Sequence, residues 1–378
     1  MGRCVKMGKV YHRVWRIIAA LLPAGAALWL LGTTPRRELP LWPGARYTVA
    51  QRDRAIERGM DFLYHRMACN PEYFKRWGGD MLSAFYNIYA TSSNPRLRRM
   101  AWDMGHERAA EWRRIYPSLP ADADAWFIAD MVFGTDSAER LGVPDSRMRA
   151  QLLAAAPRWT PRDYMNWDPA HEPPPRDLPE LCSVCKEQNE RGAITCKHCG
   201  AALKMRSRYD LYQDALITAY TGETAGIRLG VPYAAVLQWF RTLRPYPKWP
   251  QAGAAEYYAG IYSATHLIYT YNHYSRYRVS PGCFPEEFAH LRDNLHQAIA
   301  DQDPESVGEF LDSLRAFGLD FSDEHIRAGF DYLMSMQNGD GSWGDVTDPD
   351  PYSRYHPTWT AIDGLRDYAW TQVLPCPP

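Results

Sequence analysis

Three features of this 378-residue chain predict a mostly α-helical fold. Apolar residues recur at helical spacing from Arg52 onward, as in Ile56, Met60, Leu63 and Met67 and again in Ile326, Phe330, Leu333 and Met334. Segments of this kind alternate with Pro-, Gly- and Trp-rich loops. Aromatic residues make up 13% of the chain, with 14 Trp and 24 Tyr, which suits a thick helical core or a cavity lined by rings. The spacing predicts twelve helices, near 52–68, 80–91, 95–115, 121–134, 144–156, 208–220, 233–244, 254–275, 285–300, 304–318, 323–337 and 357–370. Twelve helices in alternating order can close as six hairpins into a double ring, an (α/α)6 toroid. An open array of helical hairpins is the alternative.

The first element precedes this helical body. Val14–Leu31 is interrupted by Arg16 and Pro23, and its apolar stretch from Ile17 to Leu31 is short for a bilayer span. Arg3, Lys6, Lys9 and Arg13 come before it, and Arg36 and Arg37 follow. We read 1–35 as an uncleaved, single-pass membrane anchor held in the lipid bilayer, with a cleaved signal peptide as the rival. The flanking charge favours a cytoplasmic N-terminus.

The body divides into a first helical part, 52–156, and a second, 206–372, separated by a Pro-rich linker at 157–205. That linker contains Cys182-Ser-Val-Cys185 and Cys196-Lys-His-Cys199. Each Cys-x-x-Cys turn aims two thiolates at one point, and two turns supply the four sulfurs of a tetrahedral zinc site. The pattern resembles a zinc ribbon. A closed four-sulfur site has no open position, so its Zn2+ is structural and its role is to fold the loop or bind a protein partner. Thiolate ligation favours a body in the cytoplasm, opposite to the side that the charge rule favours. The remaining cysteines, Cys4, Cys69, Cys283 and Cys376, are scattered and read as small buried hydrophobes.

Composition and motifs exclude several functions. Lys and Arg total 43 against 44 Asp and Glu, which argues against a nucleic-acid partner. No phosphate-binding glycine loop, His-Glu-x-x-His or Gly-x-Ser-x-Gly is present.

Candidate chemistry sits where inner helices of a toroid would converge. His266, Tyr269 and His273 fall at i, i+3 and i+7 of one helix and could shuttle protons or steady a cation. Asp210 and Asp214 are one turn apart at a helix start, as a paired acid and base or as charges on the helix dipole. Asp124 and His356 complete the candidate catalytic set.

A further resemblance lies in Gln337-Asn-Gly-Asp-Gly-Ser-Trp343-Gly and the helix that follows it, Tyr355-His-Pro-Thr-Trp-Thr-Ala-Ile-Asp-Gly-Leu. It resembles the glutamine–tryptophan repeat of squalene and hopene cyclases and the glycine-rich repeat of protein prenyltransferases. Residues 53–91 repeat the arrangement weakly, with Trp77-Gly-Gly-Asp80 as the corresponding loop. The resemblance implies the α/α toroid. Class II terpene cyclases carry Asp-x-Asp-Asp on an inner helix, whereas this chain has Asp122-Ala-Asp124-Ala, without the final Asp. Neither cyclase nor transferase chemistry therefore transfers from the motif. The expectation is a membrane-anchored enzyme acting on an apolar, isoprenoid-like substrate in an aromatic-lined cavity. The alternatives are a protein-binding scaffold using toroid and zinc ribbon, or a carbohydrate-active (α/α)6 enzyme.

Overall fold

Four helix starts among the described residues combine a capping side chain with a proline. Asn70 before Pro71, Asn94 before Pro95 and Asp303 before Pro304 each accept hydrogen bonds from the first free amides, while the proline fills a position that lacks a partner anyway. Thr48 and Gln51 form a capping box at the first helix. The computed structural model describes residues 39–377. Its long helices are α1 (Val49–Phe62, continued by a wider turn at Leu63–Ala68), α2 (Pro71–Thr91), α3 (Pro95–Ile115), α4 (Ala125–Arg140) and α5 (Ser146–Ala155). After the short α6 (Pro161–Met165) come α7 (Arg208–Ala225), the short α8 (Tyr233–Leu237), α9 (Ala254–Tyr271), α10 (Pro285–Ala300), α11 (Pro304–Ala316), α12 (Glu324–Met336) and α13 (Tyr352–Leu365). The membrane anchor expected at Val14–Leu31 lies outside the described residues. Among the described residues no helix is long and apolar enough to cross a membrane.

The helices fall into two sets by burial. α3 buries one stripe, Leu97, Ala101, Met104, Ala109 and Trp112, and turns its charged residues to solvent. α11 is buried on every side, including Glu309 and Asp312. The more buried helices pack in sequence: α2 against α4, α4 against α7, α7 against α9, α9 against α11, and α11 against α13. Contact between α11 and α13 is close because both are glycine there. A Cβ on Gly308 would collide with the Thr360 carbonyl, and one on Gly364 would press on Gly308.

The last helices also reach the first. Gln337 Nε2 donates to Ala55 O on α1 at 2.7 Å, and Arg58 bonds back to the carbonyls of Asn338 and Gly339. Trp343 is fully buried and donates from Nε1 to Leu333 O. Gly344 has φ +94°, a left-handed conformation that glycine adopts freely. The 337–344 segment thus ties α1, α12 and α13 together.

Three expectations are corrected. Trp77-Gly78-Gly79-Asp80 is not a loop. It lies inside α2, where Trp77 (φ −129°, ψ 19°) kinks the helix, so its likeness to the Trp343 loop ends at the sequence. The final helix begins at Tyr352 and ends at Leu365, five residues before the expected span at both ends. Its Pro357 lies inside the helix, at the sixth residue, and removes one intrahelical N–H there. Cys283 is not a lone hydrophobe either, for it forms a disulfide with Cys376, and Cys69 is disulfide-bonded too. The Cys283–Cys376 bond fastens the C-terminal strap. Ala369 N bonds Thr91 O, Val373–Leu374 pairs in parallel with Arg278–Val279, and Tyr271 donates to Pro375 O at 2.5 Å.

Candidate functional site

A cavity of about 120 Å³ lies where the six buried helices meet. Every one of them contributes to its wall: Asp80 and Asn87 from α2, Phe133 from α4, Ile217 from α7, His266 and Tyr269 from α9, Glu309 and Asp312 from α11, and His356, Trp359 and Asp363 from α13. Tyr274, Thr360 and Arg366 complete it.

Three of its carboxyls share one design, in which a protein hydroxyl holds a single oxygen. Tyr355 donates to Asp80 Oδ2 at 3.0 Å, Thr265 to Glu309 Oε2 at 2.6 Å, and Ser275 to Asp312 Oδ1 at 2.5 Å. Each hydroxyl fixes the rotamer and leaves the second oxygen free of that bond. Burial disfavours their charged forms. It pushes Glu309 up to about 8, against the opposing pull of the His356 charge, and with Asp363 nearby it pushes Asp312 up to about 7. Asp80 is raised for the same first reason. The fourth acid, Asp363, pairs with Arg366 Nε at 2.6 Å. Arg366 is itself tied by Nη1 to Thr91 and Ser92.

The two imidazoles are opposites. His266 Nδ1 lies 2.8 Å from Tyr262 O, and a carbonyl can only accept, so Nδ1 carries the proton and Nε2 keeps a lone pair. Burial holds this ring neutral, with its pKa lowered to about 4. For His356 burial acts in the same direction, but the carboxylates of Glu305, Glu309 and Asp80 outweigh it and raise the pKa to about 9. His356 Nδ1 sits 3.1 Å from Glu305 Oε1. The contact is an ion pair. One wall therefore holds an imidazole kept neutral, an imidazole kept charged and a carboxyl whose proton burial retains more tightly than usual, which are the components of general acid–base catalysis.

Of the six residues expected to carry chemistry, the structure brings His266 and His356 together in this cavity. The others lie elsewhere. His273 follows the end of α9, not on its face, and meets Tyr220 OH through Nδ1 at 3.2 Å. Asp124 caps α4, accepting from Phe127 N at 2.8 Å. Asp214 pairs with Arg206, and Asp210 lines an open charged hollow with Arg206 and Arg208 at the start of α7. Sequence reasoning missed Asp80, Glu309, Asp312 and Arg366. A signal existed for two of these: Glu309 and Asp312 are acids i and i+3 in a helix otherwise packed with Val307, Phe310, Leu311 and Leu314.

The sulfurs of Cys182, Cys185, Cys196 and Cys199 form a separate cluster, all within 4.8 Å of one another. Cys182 to Cys199 is 3.5 Å and Cys185 to Cys196 is 3.6 Å. Zinc with Zn–S bonds of about 2.3 Å needs sulfurs about 3.8 Å apart, so the donor set fits zinc with little adjustment. Asn189 supports it from outside, donating to Cys196 Sγ and accepting from Lys197 N.

No protein-family profile matches this chain, and no curated protein matches it. Fold and sites together define a mostly helical protein with a four-cysteine cluster of zinc-binding type.

Proposed function

We propose that this chain is an acid–base enzyme whose twelve principal helical segments close as an (α/α)6 toroid around the central cavity. The alternation of buried and half-exposed helices supports the toroid, as does the wall shared by six of them. The observation that carries the enzymatic reading is the pairing, in one cavity, of His266 with a free Nε2 lone pair and Glu309 with a carboxyl proton. His266 accepts a proton from the substrate, Glu309 returns one to the departing or developing oxygen, and His356 holds negative charge nearby. The lining combines acids, imidazoles and an arginine with Phe133, Ile217, Tyr269, Tyr274 and Trp359, which suits a largely apolar substrate bearing a polar reacting group.

In this reading the zinc ribbon is structural, with Zn2+ held by the four cysteines, and it stiffens 176–206 as a docking module for a protein partner. The N-terminal segment anchors the enzyme to the bilayer. The test is to incubate the purified full-length protein with a metabolite extract of its source, beside Glu309→Gln and His266→Ala. A metabolite consumed by the wild type and spared by both variants supports the proposal. Identical profiles for all three would contradict it and favour the scaffold reading.

A further inference from the structure

Three acids on the wall of the central cavity have no cation of their own. Asp80, Glu309 and Asp312 are held by the hydroxyls of Tyr355, Thr265 and Ser275 and form no ion pair among the described residues. The two basic groups on the same wall are committed to other acids, Arg366 to Asp363 at 2.6 Å and His356 to Glu305 at 3.1 Å. Glu309 and Asp312 are only 1% and 4% exposed, so bulk water does little for either charge. Glu309 lines the cavity, yet among the described residues only its Oε2 accepts a side-chain hydrogen bond.

The rest of the wall is largely aromatic and apolar, with Tyr269, Tyr274, Trp359, Phe133 and Ile217. Tyr274 owes its place to an unusual turn. His273, Tyr274 and Ser275 have φ of +55°, +52° and +64°, three consecutive non-glycine residues in the left-handed region, where single residues are the norm. Tyr274 N bonds Tyr269 O at 2.6 Å, and Ser275 N bonds Asn272 Oδ1 at 2.7 Å. The turn sets the Tyr274 ring beside that of Tyr269, 6.2 Å between centroids, and brings Ser275 Oγ to 2.5 Å from Asp312 Oδ1. One device thus supplies both an aromatic face and the clamp on an acid.

This chemistry narrows the ligand. An anion finds no uncommitted cation on the wall. A hydrocarbon would strip water from three carboxyls without replacing its hydrogen bonds. A cation supplies the missing charge, and aromatic faces attract it further. It is not a metal ion, because the four cysteines are the one group of three or more His, Cys, Asp or Glu side chains among the described residues placed to hold one. It is therefore organic. Its enclosed part is small, since the cavity is about 120 Å³ and a cavity of about 150 Å³ holds benzene. His266 Nε2 and Glu309 Oε1 offer acceptors, which favours N–H donors over a quaternary head. One positive charge offsets one carboxylate. Asp312, pushed up by burial to about 7, loses its proton before Glu309 at about 8, so Asp312 takes the ligand's charge and Glu309 keeps its proton.

We infer that the cavity binds a protonated primary amine on a small apolar body, with the ammonium on Asp312 and the body against Tyr269, Tyr274 and Trp359. This rests on the cavity being the reacting site, but it is tested by binding alone.

The experiment is calorimetric titration of the full-length protein at neutral pH with benzylamine, cyclohexylamine and isoamylamine. Each is run beside the alcohol of the same shape, namely benzyl alcohol, cyclohexanol and isoamyl alcohol. Benzoate and benzyltrimethylammonium probe the anionic and quaternary classes. At least one amine should bind about tenfold or more tightly than its alcohol, a difference equivalent to about 1.4 kcal/mol. Asp312→Asn, or Asp312→Ser if the first does not fold, should bring that amine down to the affinity of its alcohol and leave the alcohol nearly unchanged. No amine binding, equal affinity for amine and alcohol, tighter binding of benzoate or the quaternary probe, or a variant that keeps the amine preference would overturn the inference. Amine binding with no turnover of any metabolite would count against the acid–base reading alone. Turnover of a metabolite without amine binding would count against this inference alone.

Discussion

Glu309 and His266 make opposite demands on pH. His266 acts as a base only when neutral, above its lowered pKa of about 4, and Glu309 gives a proton only below its raised pKa of about 8. We predict that kcat/KM measured against pH rises near 4, stays level, and falls near 8. Glu309→Gln should lower the plateau by about 10²–10⁴-fold and remove the alkaline limb. The same carboxyl affects stability. Its folded pKa exceeds the unfolded value of 4.5, so the folded state holds the extra proton between the two and loses stability as pH rises toward 8. His273→Gly should relieve one left-handed residue and stabilise the fold by about 1 kcal/mol in urea denaturation, since its contact with Tyr220 is exposed. At this scale the sequence was half legible. His266 stood out in a run of aromatic and imidazole residues along one helix, and His356 stood out at the mouth of the last helix. Asp80 and Glu309 become site residues only through partners such as Tyr355, which is 275 positions from Asp80.

Among the elements, the cysteine module and the α11–α13 contact depend on different physics. Zinc ligation is folding energy for a segment with little core of its own. Removing the metal with a strong chelator, or Cys182→Ser, should expose 176–206 to protease while helical circular dichroism stays nearly constant. Metal analysis should give about one zinc per chain, four thiolates being one tetrahedral set. Gly308→Ala would wedge α11 away from the Thr360 carbonyl and should cost about 1–3 kcal/mol in a urea melt. Helix identity was readable from the apolar period. The error at α2 has a local cause. Trp77-Gly78-Gly79 looks like a loop by composition, but Gly78 and Gly79 lie where a Cβ would crowd Trp112 and the Gly134 backbone, so these glycines serve close helix packing. The Cys-x-x-Cys pair was legible because its geometry is local. The left-handed turn at 273–275 carried no signal, as none of its residues is glycine or asparagine.

Across the whole molecule, Gln337, Tyr355 and Arg366 join the last helices to the first, and the strap beyond Leu365 is closed by Cys283–Cys376 across 93 residues. A cross-link over a loop of that length removes much unfolded-chain entropy, so Cys376→Ser should lower stability by about 2–4 kcal/mol, read from the denaturation midpoint. Such bonds persist in oxidising compartments, the side that the basic residues before Val14 favour for the body, whereas the zinc thiolates favour the reducing side. Scattered cysteines gave no warning of this pairing, which requires the strap to cross to the far end of α9. The central claim is that distant helices bring a neutral and a charged imidazole into one acid-lined cavity. Long-range ¹H–¹⁵N NMR of the histidine rings, assigned with His266→Gln and His356→Gln, tests it most directly. The account predicts that His266 stays neutral, protonated on Nδ1, down to about pH 4, and that His356 stays charged up to about pH 9. Two rings titrating independently near their ordinary value of 6.5 would contradict it.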